Sequence, residues 1–198
     1  MTLVLASTSA ARRAMLSAAG VPHEAVAPYV DEDDLKAALL AEGASPRAVA
    51  DALAEAKAVK ISGRRPGALV LGADQVLALS DGTMLDKPTD RAAAAAQLRR
   101  LRGREHRLVS AAVVAENGAA VWRVVDTAVL EVRAFSDDWL EAYLDAEGEA
   151  VLGCVGSYRL EGLGAQLFSR VRGDHFTILG LPLLALLDYL RSRGVIAT

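Results

Sequence analysis

Residues 3–19 read Leu3-Val4-Leu5-Ala6-Ser7-Thr8-Ser9-Ala10-Ala11-Arg12-Arg13-Ala14-Met15-Leu16-Ser17-Ala18-Ala19, and this stretch decides the fold class. Leu3 to Ala6 is a short apolar run of the kind that forms a buried strand. Ser7-Thr8-Ser9 make a polar turn. From Ala10 the alanine, arginine, methionine and leucine content favours helix, until Gly20 and Pro22 stop it. Strand, turn and helix in that order open an α/β protein, and the alternation continues along the chain.

Ser45 as N-cap and Pro46 at the first helical position predict a helix through Val49, Leu53 and Lys57 to about Ile61, before Gly63. Ala68 to Ala73 is an apolar run with the look of a strand covered on both faces, and it places Asp74 and Gln75 at a strand's carboxyl edge. Thr89 to Arg102 is alanine-rich and helical, with Gly103 as its stop. The period then changes. Arg107 to Ala115 and Val121 to Arg133 are valine-rich and separated by Glu116-Asn117-Gly118, a hairpin signal. Ser136 caps a further helix whose first turn carries Asp137 and Asp138, and after a glycine-broken stretch from Gly153 to Gly173 the last helix runs from Pro182 to Arg193. No internal repeat and no low-complexity linker interrupts the chain, so residues 1–198 read as a single α/β domain with a mixed sheet.

Composition narrows the function. The 198 residues (20.8 kDa) are 53% hydrophobic and 24% charged with mean hydropathy +0.25, enough to fill a large core and contrary to disorder. The longest uncharged apolar stretch near the C-terminus, Phe176 to Leu187, has 12 residues, against about 20 for a membrane span. No secretory pattern precedes Leu3, and a cytoplasmic location is expected. Cys154 is the single cysteine, and His23, His106 and His175 are too dispersed for a zinc motif. A net charge of −3, from 22 basic and 25 acidic residues, and 5% aromatic content oppose an extended nucleic-acid surface and leave a small nucleotide as the compatible partner.

Several residues carry candidate chemistry. Ser7, Thr8 and Ser9 with Arg12 and Arg13 stand where a strand hands over to a helix, so amide, hydroxyl and guanidinium donors converge as an anion site requires; a plain N-cap with two solvated arginines has the same spacing. The run Asp31-Glu32-Asp33-Asp34 suits either a divalent cation or the cap of a helix over Leu35 to Leu40. Lys57 falls near the apolar stripe of its helix, where an unpaired ammonium is costly; a bound anion would resolve the cost, and so would snorkelling, for it or for Lys60. Asp74 after an apolar strand is a stronger signal, because ligand groups in α/β proteins collect at carboxyl ends of strands. Lys87-Pro88 offers a rigidified lysine or an ordinary loop. No P-loop is present, and Ser110 lacks the flanks of a nucleophile elbow.

Taken together, Leu5 to Arg13, Gly72-Ala73-Asp74-Gln75, Asp86-Lys87-Pro88 and Gly180-Leu181-Pro182-Leu183 resemble, in order and spacing, the Maf family of nucleoside triphosphate pyrophosphatases. The resemblance implies an elongated mixed β-sheet flanked by helices, with two lobes around a central cleft, an architecture shared with inosine triphosphate pyrophosphatases. It implies hydrolysis between the α and β phosphates, yielding a nucleoside monophosphate and pyrophosphate, with magnesium or manganese as cofactor. It assigns Ser7, Arg12, Arg13, Lys57 and Lys87 to the phosphates, Glu32 and Asp74 to the metal, and Asp74 to the proton of the attacking water. The substrate-selecting positions it points to are Ala11, Gln75 and Glu161. Gln75 and Glu161 are similar to the branch acting on 7-methyl-GTP; Ala11 matches neither the arginine of the dTTP/UTP branch nor the tryptophan of the other. The alternatives are a dTTP/UTP pyrophosphatase, or a non-catalytic nucleotide-binding regulator of septum formation. The partners expected are a nucleoside triphosphate and, as an option, a second copy in a homodimer, with no extended nucleic acid and no membrane.

Overall fold

The computed structural model describes residues 3–198. In chain order these form β1 (Leu3–Ala6), α1 (Ala10–Ala18), β2 (His23–Val26), α2 (Glu32–Ala41), α3 (Pro46–Ser62), β3 (Leu69–Leu79), β4 (Met84–Leu85), α4 (Arg91–Leu101), β5 (Glu105–Glu116), β6 (Ala119–Val132), α5 (Asp137–Glu147), β7 (Phe168–Arg172), α6 (His175–Ile178) and α7 (Leu183–Ser192). The strands make one mixed sheet in the order β2-β1-β3-β5-β6-β7, with β4 beside β3. β1 lies parallel to both β2 and β3, whereas β4 on β3 and β7 on β6 are antiparallel. No helix among the described residues is long and apolar enough to cross a membrane.

Local chemistry sets the element ends. Ser9, Asp31, Ser45, Asp90, Ser136 and Asp174 each accept a backbone N–H of the following first turn, so six helices begin on side-chain caps. Asp31 caps α2, which starts at Glu32 and so three residues before the expected Leu35. The acidic run is both a cap and, through Glu32, part of the site below. Asn117 and Gly118 both take positive φ (51 and 81), the geometry of a two-residue hairpin turn joining β5 to β6.

Two compact units divide the chain. The first holds residues 3–75 with Val109–Thr127 and Asp174–Thr198; the second holds Val76–Leu108 and Ala128–Gly173. In the first unit, β1 alternates its side chains between two covered faces. Leu3 and Leu5 pack with Met15 and Leu16 of α1, Leu69 and Leu71 of β3, and Leu183, Leu186 and Leu190 of α7. Val4 and Ala6 pack on the opposite face with Val70 and with Ile61 of α3. Burying a leucine or isoleucine side chain in this way contributes about 1.5–3 kcal/mol each. In the second unit α4 packs on α5, burying Leu98, Leu101, Leu140 and Leu144.

One expectation about β3 needs correcting. Asp74 and Gln75 do not follow the strand; they lie inside it, because β3 runs on through Val76-Leu77-Ala78-Leu79 and pairs there with β4. The parallel portion does end where expected: Ala6 of β1 pairs with Gly72, so Asp74 stands just past the carboxyl end of β1.

Candidate active site

Where β1 ends, Ser7 is buried and its Oγ accepts the Ser9 amide at 3.2 Å and Arg12 NH1 at 3.4 Å. The Arg12 guanidinium faces inward. Its Nε donates to the Gly180 carbonyl and its NH1 to the Ala73 carbonyl, each at 2.8 Å. Arg12 therefore ties the start of α1 to β3 and to the Gly180-Leu181-Pro182 turn. Burial pulls its pKa down, opposed by the carboxylates of Asp74 and Glu32. Arg13 is exposed one residue on, and Ala11 is partly buried in the first turn of α1.

Next to this lies the charged centre. Lys57, 5% exposed, sends Nζ to Asp74 Oδ1 and to Glu32 Oε2, both at 2.7 Å. The cost of its buried ammonium is thus met by two carboxylates of the protein itself rather than by snorkelling. Asp74, on β3, is 7% exposed; Glu32, at the first position of α2, keeps about half of its side chain in solvent. Burial pushes the Asp74 carboxyl up from its ordinary value, Lys57 and then Arg12 pull it down, and Glu32 adds to the rise. Of the two carboxylate oxygens of Asp74, it is Oδ1 that accepts from Lys57.

Gly72 explains how α3 delivers Lys57 to Asp74. A Cβ at Gly72 would stand 2.1 Å from the Ala54 carbonyl oxygen and 2.6 Å from the Ala58 amide nitrogen, so α3 lies directly on the strand's backbone. Lys57 immediately precedes Ala58 in the helix, and Asp74 is two residues beyond Gly72 in the strand. Side chains at 72 and 74 share a face of β3.

Gln75 points elsewhere and is pinned. Its Nε2 donates to the carbonyls of Thr177 (3.0 Å) and Ile178 (2.9 Å) and to Ser110 Oγ (3.0 Å), while Ser110 Oγ itself donates to the Thr177 carbonyl (2.7 Å). Two carbonyl partners fix which end of the amide is nitrogen, so Oε1 is the acceptor end. Thr177 Oγ1 in turn donates to Asp126 Oδ2 at 2.7 Å. Neither this chain nor the backbone clamp by Arg12 has a spacing signal in the sequence, because the partners lie about 35 to 170 residues apart.

Lys87 and Glu161 belong to the second unit and are both exposed. Within that unit Lys87, Arg159 and Glu161 surround Cys154, whose thiol is pushed up by burial and then by Glu161, with Arg159 and Lys87 opposing. The turn bearing Glu161 is fixed by buried Glu147, whose carboxylate accepts Arg159 Nε and NH2 at 2.9 and 2.8 Å and the Leu163 amide at 3.2 Å.

Asp74 and Glu32 are hard oxygen donors of the type magnesium or manganese take, while among the described residues no group of three or more His, Cys, Asp or Glu comes together. The donor set fits magnesium or manganese on those terms.

The family model described as Maf-like protein matches residues 2–193. The chain belongs to the Maf family. It is 55% identical over 194 residues to a nucleoside triphosphate pyrophosphatase of Caulobacter vibrioides, covering 98% of this chain and 96% of that one. It is 52% identical to the protein of the same name from Sphingopyxis alaskensis, covering 98% of each. Among solved structures, a nucleoside-triphosphatase, dITP/XTP pyrophosphatase, from Mycobacterium abscessus aligns over 98% of this chain and 96% of its own at 17% identity and TM-score 0.44, too distant to bear on the argument. In this Maf-family chain Asp74 of β3 meets Lys57 of α3, which also binds Glu32 of α2, near the Ser7–Arg12 turn that follows β1.

Proposed function

We propose that this Maf protein hydrolyses the α–β phosphoanhydride of a nucleoside triphosphate, modified bases included, with 7-methyl-GTP as the preferred substrate. The enzyme class is nucleoside triphosphate pyrophosphatase, a hydrolase of acid anhydrides, as in the relatives with which it shares half or more of its residues. The observation that carries the reading is the buried Asp74–Lys57–Glu32 centre beside Ser7 and Arg12. A carboxylate held next to cationic and hydroxyl donors is what water activation on a polyphosphate requires.

In this reading Asp74 Oδ2 takes a proton from water as the water oxygen bonds to one phosphorus of the α–β bridge. The bridging oxygen departs with the other phosphorus, giving monophosphate and pyrophosphate. The raised pKa of Asp74 suits a group that must accept a proton and release it again. Lys57 holds Asp74 in place and, when the site fills, shares its charge with phosphate oxygens. Ser7, Arg12 and exposed Arg13 supply further donors, and Lys87 of the second unit is a phosphate contact by resemblance to the family alone. Glu32 and Asp74 would hold the divalent cation, which when bound neutralises phosphate charge.

The base assignment rests on acceptors. Gln75 presents Oε1 because its nitrogen is pinned, and Glu161 presents a carboxylate on a turn fixed by Glu147. Guanine's N1–H and exocyclic amine are donors, whereas thymine and uracil set one N–H between two carbonyls. Pyrophosphate release from 7-methyl-GTP, GTP, dTTP and UTP, with magnesium or manganese, tests the reading. Preference for dTTP or UTP, unchanged in Glu161→Gln, refutes the base; binding with no pyrophosphate released refutes the enzyme and leaves a nucleotide-binding regulator.

A further inference from the structure

Tyr29 has a backbone φ of 49°, in the left-handed region that a bulky residue enters only against strain. Little covers its ring to offset that strain: Tyr29 is 80% exposed, against 58% for Leu184, the next most exposed large apolar residue among those described. Yet its peptide is held firmly. Pro28 before it is buried, and Lys60 Nζ donates to the Tyr29 carbonyl.

Its neighbours in helix and chain belong to the candidate centre. Lys60 follows Lys57 by three residues on α3, so the two ammonium groups leave the same helix face one turn apart. Glu32, three residues after Tyr29, reaches the same Lys57 Nζ at 2.7 Å. Tyr29 and Glu32 line one open depression of about 500 Å³, together with Val30, Asp31 and Asp33. One exposed aromatic ring in a carboxylate-lined depression, next to a phosphate-hydrolysing centre, has the make-up of a nucleobase platform.

We propose that Tyr29 is a specificity-determining residue on whose ring the nucleobase stacks, supplying the aromatic face that Ala11 lacks. The proposal rests on the nucleotide reading above. Stacking accepts any base, and a ring with Asp31 and Asp33 alongside favours a base carrying positive charge, as a purine methylated at N7 does. The strain at Tyr29 then has a use: it turns the ring away from the protein and toward the ligand.

The test compares Tyr29→Ala, Tyr29→Phe and Tyr29→Trp with the wild type, measuring binding of the α,β-methylene analogues of GTP and 7-methyl-GTP and of inorganic tripolyphosphate, all with magnesium. Tyr29→Ala should weaken both nucleotides about tenfold to a hundredfold, the analogue with the methylated base more, and leave tripolyphosphate unchanged. Phe and Trp should restore nucleotide binding. Equal weakening of nucleotides and tripolyphosphate would overturn the proposal, because it would mean the substitution disturbs Glu32 and the phosphate end. So would unchanged nucleotide binding in Tyr29→Ala. The wild-type substrate panel tests the underlying reading separately: a pyrimidine preference removes the named base but leaves the split between nucleotide and tripolyphosphate to judge Tyr29, whereas a wild type that binds no nucleotide overturns both.

Discussion

Replacing Gly72 by alanine should disable the enzyme without touching a reacting group. The added methyl carbon would sit 2.1 Å from the Ala54 oxygen and 2.6 Å from the Ala58 nitrogen, and both are backbone atoms of α3 that cannot swing aside. A carbon and a carbonyl oxygen approach no closer than about 3.3 Å without repulsion, so helix and strand must part by roughly 1 Å. Overpacking of this kind costs about 1–3 kcal/mol, which for a chain of this size lowers the melting temperature by about 2–12 °C. The same displacement acts on the 2.7 Å contact between Lys57 on the helix and Asp74 on the strand. A misplacement of about 1 Å in a catalytic group is worth about 10²-fold in rate. Differential scanning calorimetry and pyrophosphate release on Gly72→Ala read the two effects separately. Turnover within twofold of wild type, in a protein that melts at the wild-type temperature, would refute the account of how α3 positions Lys57.

Three further outcomes follow from other contacts. Asp74→Asn should lower hydrolysis by about 10² to 10⁴ while a nonhydrolysable nucleotide still binds; near-normal turnover would remove Asp74 from the mechanism. Lys57→Met leaves Asp74 buried without its partner, so denaturant titration should show a loss of about 3–5 kcal/mol, whereas the double variant Lys57→Met with Asp74→Asn should recover part of it. His106 is pushed down to about 4 by burial. Between pH 6.5 and 4 the unfolded chain binds a proton that the folded chain refuses, so stability is complete above that window and falls as pH drops through it, by up to about 3 kcal/mol. His106→Phe should flatten that slope in unfolding curves measured from pH 7 to 4; an unchanged slope would place the acid sensitivity elsewhere.

The elements legible in the sequence are those with a local signature. Ser45-Pro46 marks the start of α3, Asn117-Gly118 the β5–β6 turn, and Ser136 the start of α5, because caps and turn residues act within a few positions. Strands without a buried face were not legible. β2 presents His23, Glu24, Ala25 and Val26, none of them buried, and β7 is exposed at four of its five residues, so neither shows an apolar run or an alternation. Asp74-Gln75 read as a strand end because two polar residues interrupt an apolar run. The sheet accepts them because one has Lys57 and the other the carbonyls of Thr177 and Ile178. At the site, residue types pointed to Asp74, while the pairing of Lys57 with Glu32 and Asp74 depends on how α2 and α3 fold back onto β3, which no spacing encodes. Tyr29, too, is conspicuous only once its backbone and exposure are known.

The first unit is assembled from three separated stretches of chain, and its last piece, Asp174–Thr198, comes from the C-terminal end. That piece contributes Leu181, Leu183, Leu186 and Leu190 to the cluster around Leu3 and Leu5, and the Gly180 carbonyl that seats Arg12. During synthesis, then, β1 and its first helix leave the ribosome long before their covering helix exists. Leu3 and Leu5 must wait, exposed or sheltered by a chaperone, until Leu181 to Leu190 have emerged. Long-range closures of this sort are slow. The nascent chain cannot seat Arg12 before Gly180 has been made.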